Sequence, residues 1–302
     1  MGESPNRRAW LRFRDNRPAI LASLFLIGLI LLAVCWPWVS DLGDQHSDAQ
    51  FAAPSAQHWF GTDVHGRDLF GRVLAGTRIS LLVGLVGALV SLVIGVLWGA
   101  TAGLSGGAWD NWMMRIVDVL YSLPSIIFVI VIITTLESLV KGWVESAFGG
   151  NASETARHLL LYAGLGAISW LTMARIVRGQ VLALREQQFV EAARSLGLRR
   201  WTILWRHILP NVFGVVIVYL TLTLPAVVLY ESFLSYLGLG IQPPKASLGS
   251  LIAEGAAQIN PIRVYWWMIL FPAGCLAALL MALNFLGDGL RDVFDPKATK
   301  ER

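Results

Sequence analysis

Six long runs of mostly apolar residues restrict the fold of this 302-residue chain more than any other feature. They cover about residues 20–38, 79–100, 116–135, 159–173, 212–229 and 266–286. A helix needs about 20 such residues to cross the bilayer core, where only internal helical hydrogen bonds satisfy the backbone. Apolar residues make up 55% of the chain, more than one soluble core needs. The pattern therefore predicts an all-α membrane protein with six transmembrane helices.

The Lys and Arg residues between the runs predict the orientation. With a cytoplasmic N-terminus, 17 of the 24 basic residues lie in cytoplasmic segments and 7 lie in the outer loops. Membrane insertion favours Lys and Arg on the cytoplasmic side, so both termini and Arg199 are predicted to be cytoplasmic. The net charge of +4 follows this topological pattern, which argues against nucleic-acid binding.

The first apolar run could instead be a cleaved secretory signal, because basic residues precede it. It is long enough to span a bilayer, however, and AVCWPWVSD contains no small-x-small cleavage site, so we predict an uncleaved helix. Cys35 and Cys275 both lie in apolar runs, where thiols behave as small hydrophobic groups. We predict no disulfide and no metal site.

A charged, two-part amphipathic segment, EAARSLGLRRWTILWRHILPN, lies between the fourth and fifth runs at residues 191–211. Helical spacing around its start predicts a narrow apolar stripe of Phe189, Val190, Ala193 and Leu196. Gly197 is suited to end this first helix. A second apolar face, predicted to lie on the bilayer beside Arg199, Arg200 and Arg206, comprises Trp201, Leu204, Trp205 and Ile208. Pro210 and Asn211 are predicted to mark the join to the fifth span.

The physical pattern of this segment leaves two interpretations open. It is either an amphipathic connector on the bilayer surface or a short helix presented to a groove on a cytoplasmic partner. The small side chains of Ala192 and Ala193 favour the second interpretation, because a partner backbone could approach closely there.

The same residues resemble the EAA loop of the transmembrane subunits of bacterial ABC importers. The resemblance is carried by Glu191-Ala192-Ala193, Gly197 and Leu209-Pro210, while His207 stands where the motif has isoleucine. It implies a coupling helix that sits in a cleft of an ATP-hydrolysing subunit. The residues implied in coupling are Phe189, Glu191, Ala192, Ala193, Leu196, Gly197, Leu209 and Pro210.

Longer stretches are similar to the C-type permease subunit of oligopeptide and dipeptide importers. They are WFGTDVHGRDLFGRVLAGTRISLL (59–82), MARIVRGQ (173–180), ESFLSYLGLGIQPP (231–244) and NFLGDGLRDVFDPK (284–297). Leu248 stands where this family has tryptophan. The resemblance implies the transmembrane-domain fold of type I ABC importers. Its expected parts are a tail, first helix and outer loop (1–76), the transport domain (77–288) with a coupling loop at about 174–211, and a cytoplasmic tail (289–302).

The resemblance also implies the function: import of short peptides across the bacterial inner membrane by a subunit without catalytic residues. The expected partners are a homologous second permease, two ATPase subunits that bind ATP and Mg, and an extracytoplasmic binding protein. The residues agree, because none of the four lysines follows a glycine as a phosphate-binding loop requires. The alternatives are an ion-driven secondary transporter, a membrane scaffold, or a related importer for glutathione or nickel chelates.

Other residues receive weaker predictions. His65 beside Asp63 and Asp68 is a poor metal motif, because it offers one histidine in a turn. Arg115 and Asp118, three residues apart, are expected to form a local ion pair. Glu231, at the predicted end of the fifth span, is a candidate for the translocation path. Two prolines, Pro124 and Pro225, are expected to kink the third and fifth spans.

Overall fold

The computed structural model describes residues 13–39, 48–148, 152–241 and 245–294. Within these ranges the regular secondary structure is helical, and the backbone pairing of Thr62 with Asp68 is an isolated bridge. The helices are α1 (Arg17–Val39), α2 (Leu69–Ser105), α3 (Gly107–Ser122), α4 (Ser125–Phe148), α5 (Ala152–Leu184), α6 (Gln188–Ser195), α7 (Arg200–Ile203), α8 (Leu209–Tyr236), α9 (Leu248–Ala256) and α10 (Trp267–Phe294). A π-helical turn (Leu204–Ile208) joins α7 to α8.

Four of the described helical segments are long and apolar enough to cross a membrane. They are α1, α2, the continuous helix Arg200–Tyr236 and α10. A fifth span results if α3 and the first part of α4 are taken together, although they are bent by 93°. The predicted span 159–173 lies inside α5, which is not among the described helices that meet this length and apolarity test. That sixth span therefore stays a prediction.

The third predicted span, 116–135, is divided into two helices, and the predicted kink at Pro124 is confirmed as a break. Its first part ends at Ser122, and Leu123 has an extended backbone (φ −81°, ψ 139°). Pro124 explains the break, because its ring disfavours helical backbone at the preceding residue and it has no N–H to donate. Pro225 differs, since it lies within α8.

The described residues of Met1–Leu85 and Pro225–Gly289 form one compact unit. In the loop between α1 and α2, Gly61 has φ 76° and lies so close to Trp267 that a Cβ atom would clash. The Trp267 indole N–H donates to the Thr62 carbonyl at 3.2 Å, and Phe60 stacks on Phe271 with ring centroids 4.0 Å apart. These contacts hold the loop against the start of α10.

The described residues of Val86–Leu224 and Leu290–Arg302 form a second compact unit. Here α2 and α5 approach closely at Gly95, Gly99 and Gly103, where an added Cβ would collide with atoms of α5. Glycines permit such close approach of membrane helices. Because α4 also packs along α5, the end of α5 is held in place, and the amphipathic segment starts from a fixed point.

Candidate functional site

The amphipathic segment begins with α6, which follows the extended backbone of Gln187 (φ −80°, ψ 148°). The helix ends in a Schellman motif. Its Gly197 N–H bonds to the Arg194 carbonyl at 2.9 Å, and the Leu198 N–H bonds to the Ala193 carbonyl at 3.2 Å. Gly197 has φ 77°, a left-handed conformation that glycine adopts readily. The prediction that Gly197 ends this helix is confirmed.

One face of α6 is packed into the core of the chain itself. Val190 is fully buried and Ala193 is only 5% exposed. Both belong to an apolar cluster, here called the inner cluster, that joins α6 to α2, α5, the α7 region and α8. Its other buried members are Ala100, Met173, Val177, Val181, Ile203, Leu204, Ile208, Val212 and Val216. The partly buried Leu209 packs against them, so packing fixes the position of α6.

The rest of the surface of α6 is exposed. Phe189 is 42% exposed and Leu196 81%, and Glu191 and Ala192 are exposed beside them. We call these four residues the α6 outer face. The four residues of the predicted stripe lie on one side of the helix, but they divide between core and surface. Helical spacing placed them on one side of the helix but did not indicate which edge of that side is buried.

The second part of the segment continues directly into the fifth span, and the predicted join at Pro210 and Asn211 lies at the start of α8. From α7 the chain passes through the π-helical turn and into α8 without a break. Pro210 has no N–H, and its ring crowds the carbonyl of Arg206. The wider π-helical turn, which ends at Ile208, accommodates that ring. The Asn211 side chain donates to the His207 carbonyl at 2.6 Å.

The predicted apolar face of this second part is also divided. Leu204 and Ile208 are buried in the inner cluster, whereas Trp201 and Trp205 are 55% and 57% exposed. Exposed tryptophans near the end of a membrane helix are typical of the membrane interface. The two buried residues therefore belong to the core, and only the tryptophans retain the predicted position at the surface.

An open, largely polar groove lies beside α6. It is lined by Leu104, Ser105, Arg185, Glu186, Glu191, Arg194, Leu198, Arg200, Ile203 and Ile208. Arg200 is exposed and lines this groove, and its position beside the bilayer stays a prediction. Arg185 donates to the Gly103 carbonyl at 3.0 Å, which ties the end of α5 to the end of α2.

Two ion pairs join α3 to α5. Arg178 binds Asp110 through two hydrogen bonds of 2.5 and 2.7 Å, and Arg175 binds Asp118 at 2.8 Å. The Arg175 guanidinium also lies 4.1 Å from the ring centroid of Tyr121. The predicted pair of Asp118 with Arg115 is wrong, because Asp118 pairs across helices. Nothing in the local spacing of either helix indicated these partners.

Glu231 lies inside α8 and not at its end. Its carboxylate has no exposed surface and accepts hydrogen bonds from Ser80 at 2.8 Å and Ser235 at 2.7 Å. The Leu248 N–H approaches the same Ser80 hydroxyl at 3.4 Å, which brings the start of α9 to this point. A side chain that lines a path needs solvent access, so this geometry does not support the predicted path role of Glu231.

A charge network in the loop before α2 was missed by sequence reasoning. The buried Asp63 binds Arg67 at 2.7 Å and Arg72 at 2.6 Å, and Arg72 also binds Glu254 of α9. Burial by itself raises the pKa of Asp63. The Arg67 N–H and the charge of Arg72 outweigh burial and hold the pKa below its usual value. Because arginines already bind Asp63, the geometry does not support a metal site beside His65.

Comparison with known proteins identifies the family. Residues 91–300 match the family described as the inner membrane component of binding-protein-dependent transport systems. That match covers more than two thirds of the chain. The chain belongs to this family. Residues 4–54 of this inner membrane component also match the N-terminal transmembrane domain of oligopeptide transport permease C.

Curated relatives of this inner membrane component are similar along nearly its whole length. It is 43% identical to the oligopeptide transport system permease protein OppC of Haemophilus influenzae, over 98% of this chain and 90% of that protein. The OppC protein of Escherichia coli K12 is also 43% identical, with coverage of 98% and 92%. The dipeptide transport system permease protein DppC of Bacillus subtilis is 40% identical, with coverage of 96% and 85%.

A solved structure of the inward-facing MetNI methionine ABC transporter has a similar fold. The TM-score is 0.53, at 21% sequence identity, over 74% of this chain and 97% of that chain. The all-α fold of type I ABC importer transmembrane domains, implied by the resemblance, is therefore confirmed.

Family membership makes this chain a permease subunit and a multi-pass protein of the inner membrane. Permeases of this family act with ATPase subunits and with a binding protein. The match favours an ABC importer over an ion-driven secondary transporter or a membrane scaffold.

Proposed function

We propose that this permease imports short peptides into the cell, driven by ATP hydrolysis in partner subunits. The support for the cargo is the similarity to permeases named for oligopeptide and dipeptide transport, at about 40% identity over almost the full chain. ATP and Mg bind to the partner subunits in this proposal, and the permease contributes no catalytic residue.

The observation that carries the coupling proposal is the two-faced character of α6. A helix of eight residues does not persist alone in water, and here the inner cluster holds it in place. Its outer face then presents a small apolar and acidic surface. Short helices docked in a partner groove are recognised through such exposed anchors. We assign Phe189, Glu191, Ala192 and Leu196 to contact with an ATPase subunit.

The remaining members of the predicted coupling set maintain the shape of the segment. Ala193 anchors α6 in the core, Gly197 forms the turn, and Leu209 and Pro210 start α8. In this proposal they act through the position of the outer face and do not touch the partner.

The proposed assembly contains a homologous second permease, two ATPase subunits and an extracytoplasmic binding protein. Residues 77–288 form the transport domain, and residues 1–76 and 289–302 flank it. The excess of basic residues supports cytoplasmic termini and a cytoplasmic α6, where the ATPase subunits can reach it.

The coupling surface is tested with two neighbouring substitutions in the complete assembly. Ala192→Trp enlarges the outer face, and Ala193→Trp enlarges the inner face. Overpacking costs about 1 to 3 kcal/mol. We expect Ala192→Trp to reduce ATPase association with little change in the melting temperature of the permease. We expect Ala193→Trp to lower that temperature itself.

Thr202→Trp is the matched control, because Thr202 is exposed on α7, outside the outer face. It should retain ATPase association. Wild-type ATPase association of the Ala192→Trp variant would contradict the coupling assignment.

The cargo is tested separately by uptake of labelled peptides of different lengths into proteoliposomes with the binding protein. If none of these peptides is taken up in an ATP-dependent way, the peptide proposal is refuted.

A further inference from the structure

Two ion pairs join α3 to α5, the helix that leads into the coupling segment. Asp110 is only 5% exposed, and it binds Arg178 through both carboxylate oxygens. Such two-point pairing restricts orientation as well as distance. The second pair, Asp118 with Arg175, lies further along α3, with its guanidinium against the Tyr121 ring. Together the pairs hold α3 to α5 at two levels.

Helix α5 contacts α6 and α3 through different sides. Met173, Val177 and Val181 face the inner cluster that holds α6. At 3.6 residues per turn, Arg175 projects from the opposite side of α5 and Arg178 from about a quarter turn away. A displacement of α6 therefore reaches α5 through close packing. It reaches α3 through the ion pairs and through the apolar contacts of Met114 and Val117 with α5.

Helix α3 leads into the bend that separates it from α4. After Ser122 the chain turns at Leu123 and Pro124, and α4 returns to pack along α5. Movement of α3 would shift this bend. Close packing transmits strain because cores are bistable and do not deform continuously.

We propose that the Asp110–Arg178 and Asp118–Arg175 ion pairs are the linkage that makes α3 follow α5 and α6 during the transport cycle. This inference rests on the proposed coupling role of α6 for the origin of the movement. The four residues are positioning residues, because they act through the helices that they join. The linkage lies entirely within the second compact unit.

The test separates linkage from simple stability. Asp110→Leu and Arg178→Met each leave a charge without its partner and should lower the melting temperature. The double variant replaces the whole pair with apolar groups, which is often neutral for stability. Arg115→Gln is the matched control. That arginine is exposed on the same helix and belongs to neither ion pair.

The readouts are taken in the complete assembly. Cys35 and Cys275 are replaced by Ser, and new cysteines are placed at Trp112 of α3 and at Arg199 after α6. Spin labels on these two cysteines report the distance between α3 and the segment that follows α6. It is measured by double electron–electron resonance without nucleotide and with ATP and vanadate. Peptide uptake per ATP hydrolysed is measured in parallel.

We expect one narrow distance that is the same in both nucleotide states for wild type and Arg115→Gln. In the double variant the distribution of this distance should broaden, and the distance should differ between the two nucleotide states. The melting temperature of the double variant should nevertheless recover. Uptake per ATP should fall at least about fivefold, the low end of typical coupling between sites. A wild-type distance that changes with nucleotide, or a double variant that keeps the wild-type distance and uptake ratio, would overturn the linkage. Absence of peptide uptake in wild type would refute the cargo proposal alone, because the distance is measured without peptide.

Discussion

Gly197 shows how a single residue shapes the coupling segment. Its φ of 77° lies in the left-handed region, and no atom outside its immediate neighbours lies within 4 Å of the position that a Cβ would take. The need for glycine is therefore conformational and not steric. Two backbone hydrogen bonds, from Gly197 and Leu198, close the end of α6 and depend on this conformation.

Replacing Gly197 with Ala should destabilise the permease by about 1 to 2 kcal/mol, the cost of the left-handed conformation for a residue with a Cβ. Gly179→Ala is the matched control. Gly179 lies inside α5 with equally open space but without a positive φ. Alanine there should stabilise the helix by about 0.5 to 1 kcal/mol. Thermal unfolding of the purified permease measures both. Equal effects of the two substitutions would show that Gly197 carries no conformational role.

The ionisation of the Asp63 carboxyl group makes the stability of the folded protein depend on pH. Its pKa is lowered in the folded state, so its contribution is complete above the ordinary value of 3.8 and is lost as the pH falls through the lower, folded-state pKa. Asp63→Asn should therefore destabilise the protein at neutral pH and weaken the loss of stability in acid. Melting temperatures from pH 6 to pH 3 check this. Asp48→Asn, at an exposed position of the same loop, should keep the wild-type profile.

At the scale of elements, α9 is positioned by its first residues. Ser247 and Ser250 form a capping box, with bonds of 2.9 and 3.3 Å between side chains and backbone N–H groups. Arg72 reaches Glu254 on the same helix from α2, and the α9 start lies at Ser80. Leu248, which replaces a tryptophan expected by resemblance, is fully buried at the first helical position. A cap, an ion pair and a buried side chain thus hold this short helix in place.

Ser247→Ala removes the hydroxyl that accepts the Ser250 N–H, so it should cost about 1 kcal/mol. Ser250→Ala keeps that acceptor and removes the two bonds of its own hydroxyl, one accepted from the Ser247 N–H and one donated to the Ser247 carbonyl. Alanine is the better helix former at this position inside α9, so this substitution should cost less. Thermal unfolding of the two variants in the same detergent gives the comparison. A larger effect for Ser250→Ala would contradict the capping argument.

At the scale of the whole molecule, orientation in the membrane follows from charge. The 17 to 7 division of basic residues predicts cytoplasmic termini and a cytoplasmic α6. Cysteines are placed one at a time at Asn151 and Arg199, with Cys35 and Cys275 replaced by Ser. A membrane-impermeant thiol reagent added outside intact cells should label the first and not the second. Labelling at Arg199 and protection at Asn151 would reverse the proposed topology and remove α6 from the reach of the ATPase subunits.

The sequence alone was sufficient for features that depend on neighbouring residues. Apolar runs predicted the helices, because a helix in lipid must satisfy its own backbone, and Gly197 predicted the end of α6 through its left-handed conformation. Pro124 predicted a change of direction, although not a bend of 93°.

Tertiary structure decided which of these residues meet. Asp110 and Arg178 are 68 positions apart, and Ser80 and Glu231 are 151 apart, so helical spacing contains no information about either contact. Ala193 and Ala192 are neighbours with the same side chain, yet one is buried and the other exposed. That difference depends on where α5 and α8 lie beside α6, and only the packing of whole helices determines it.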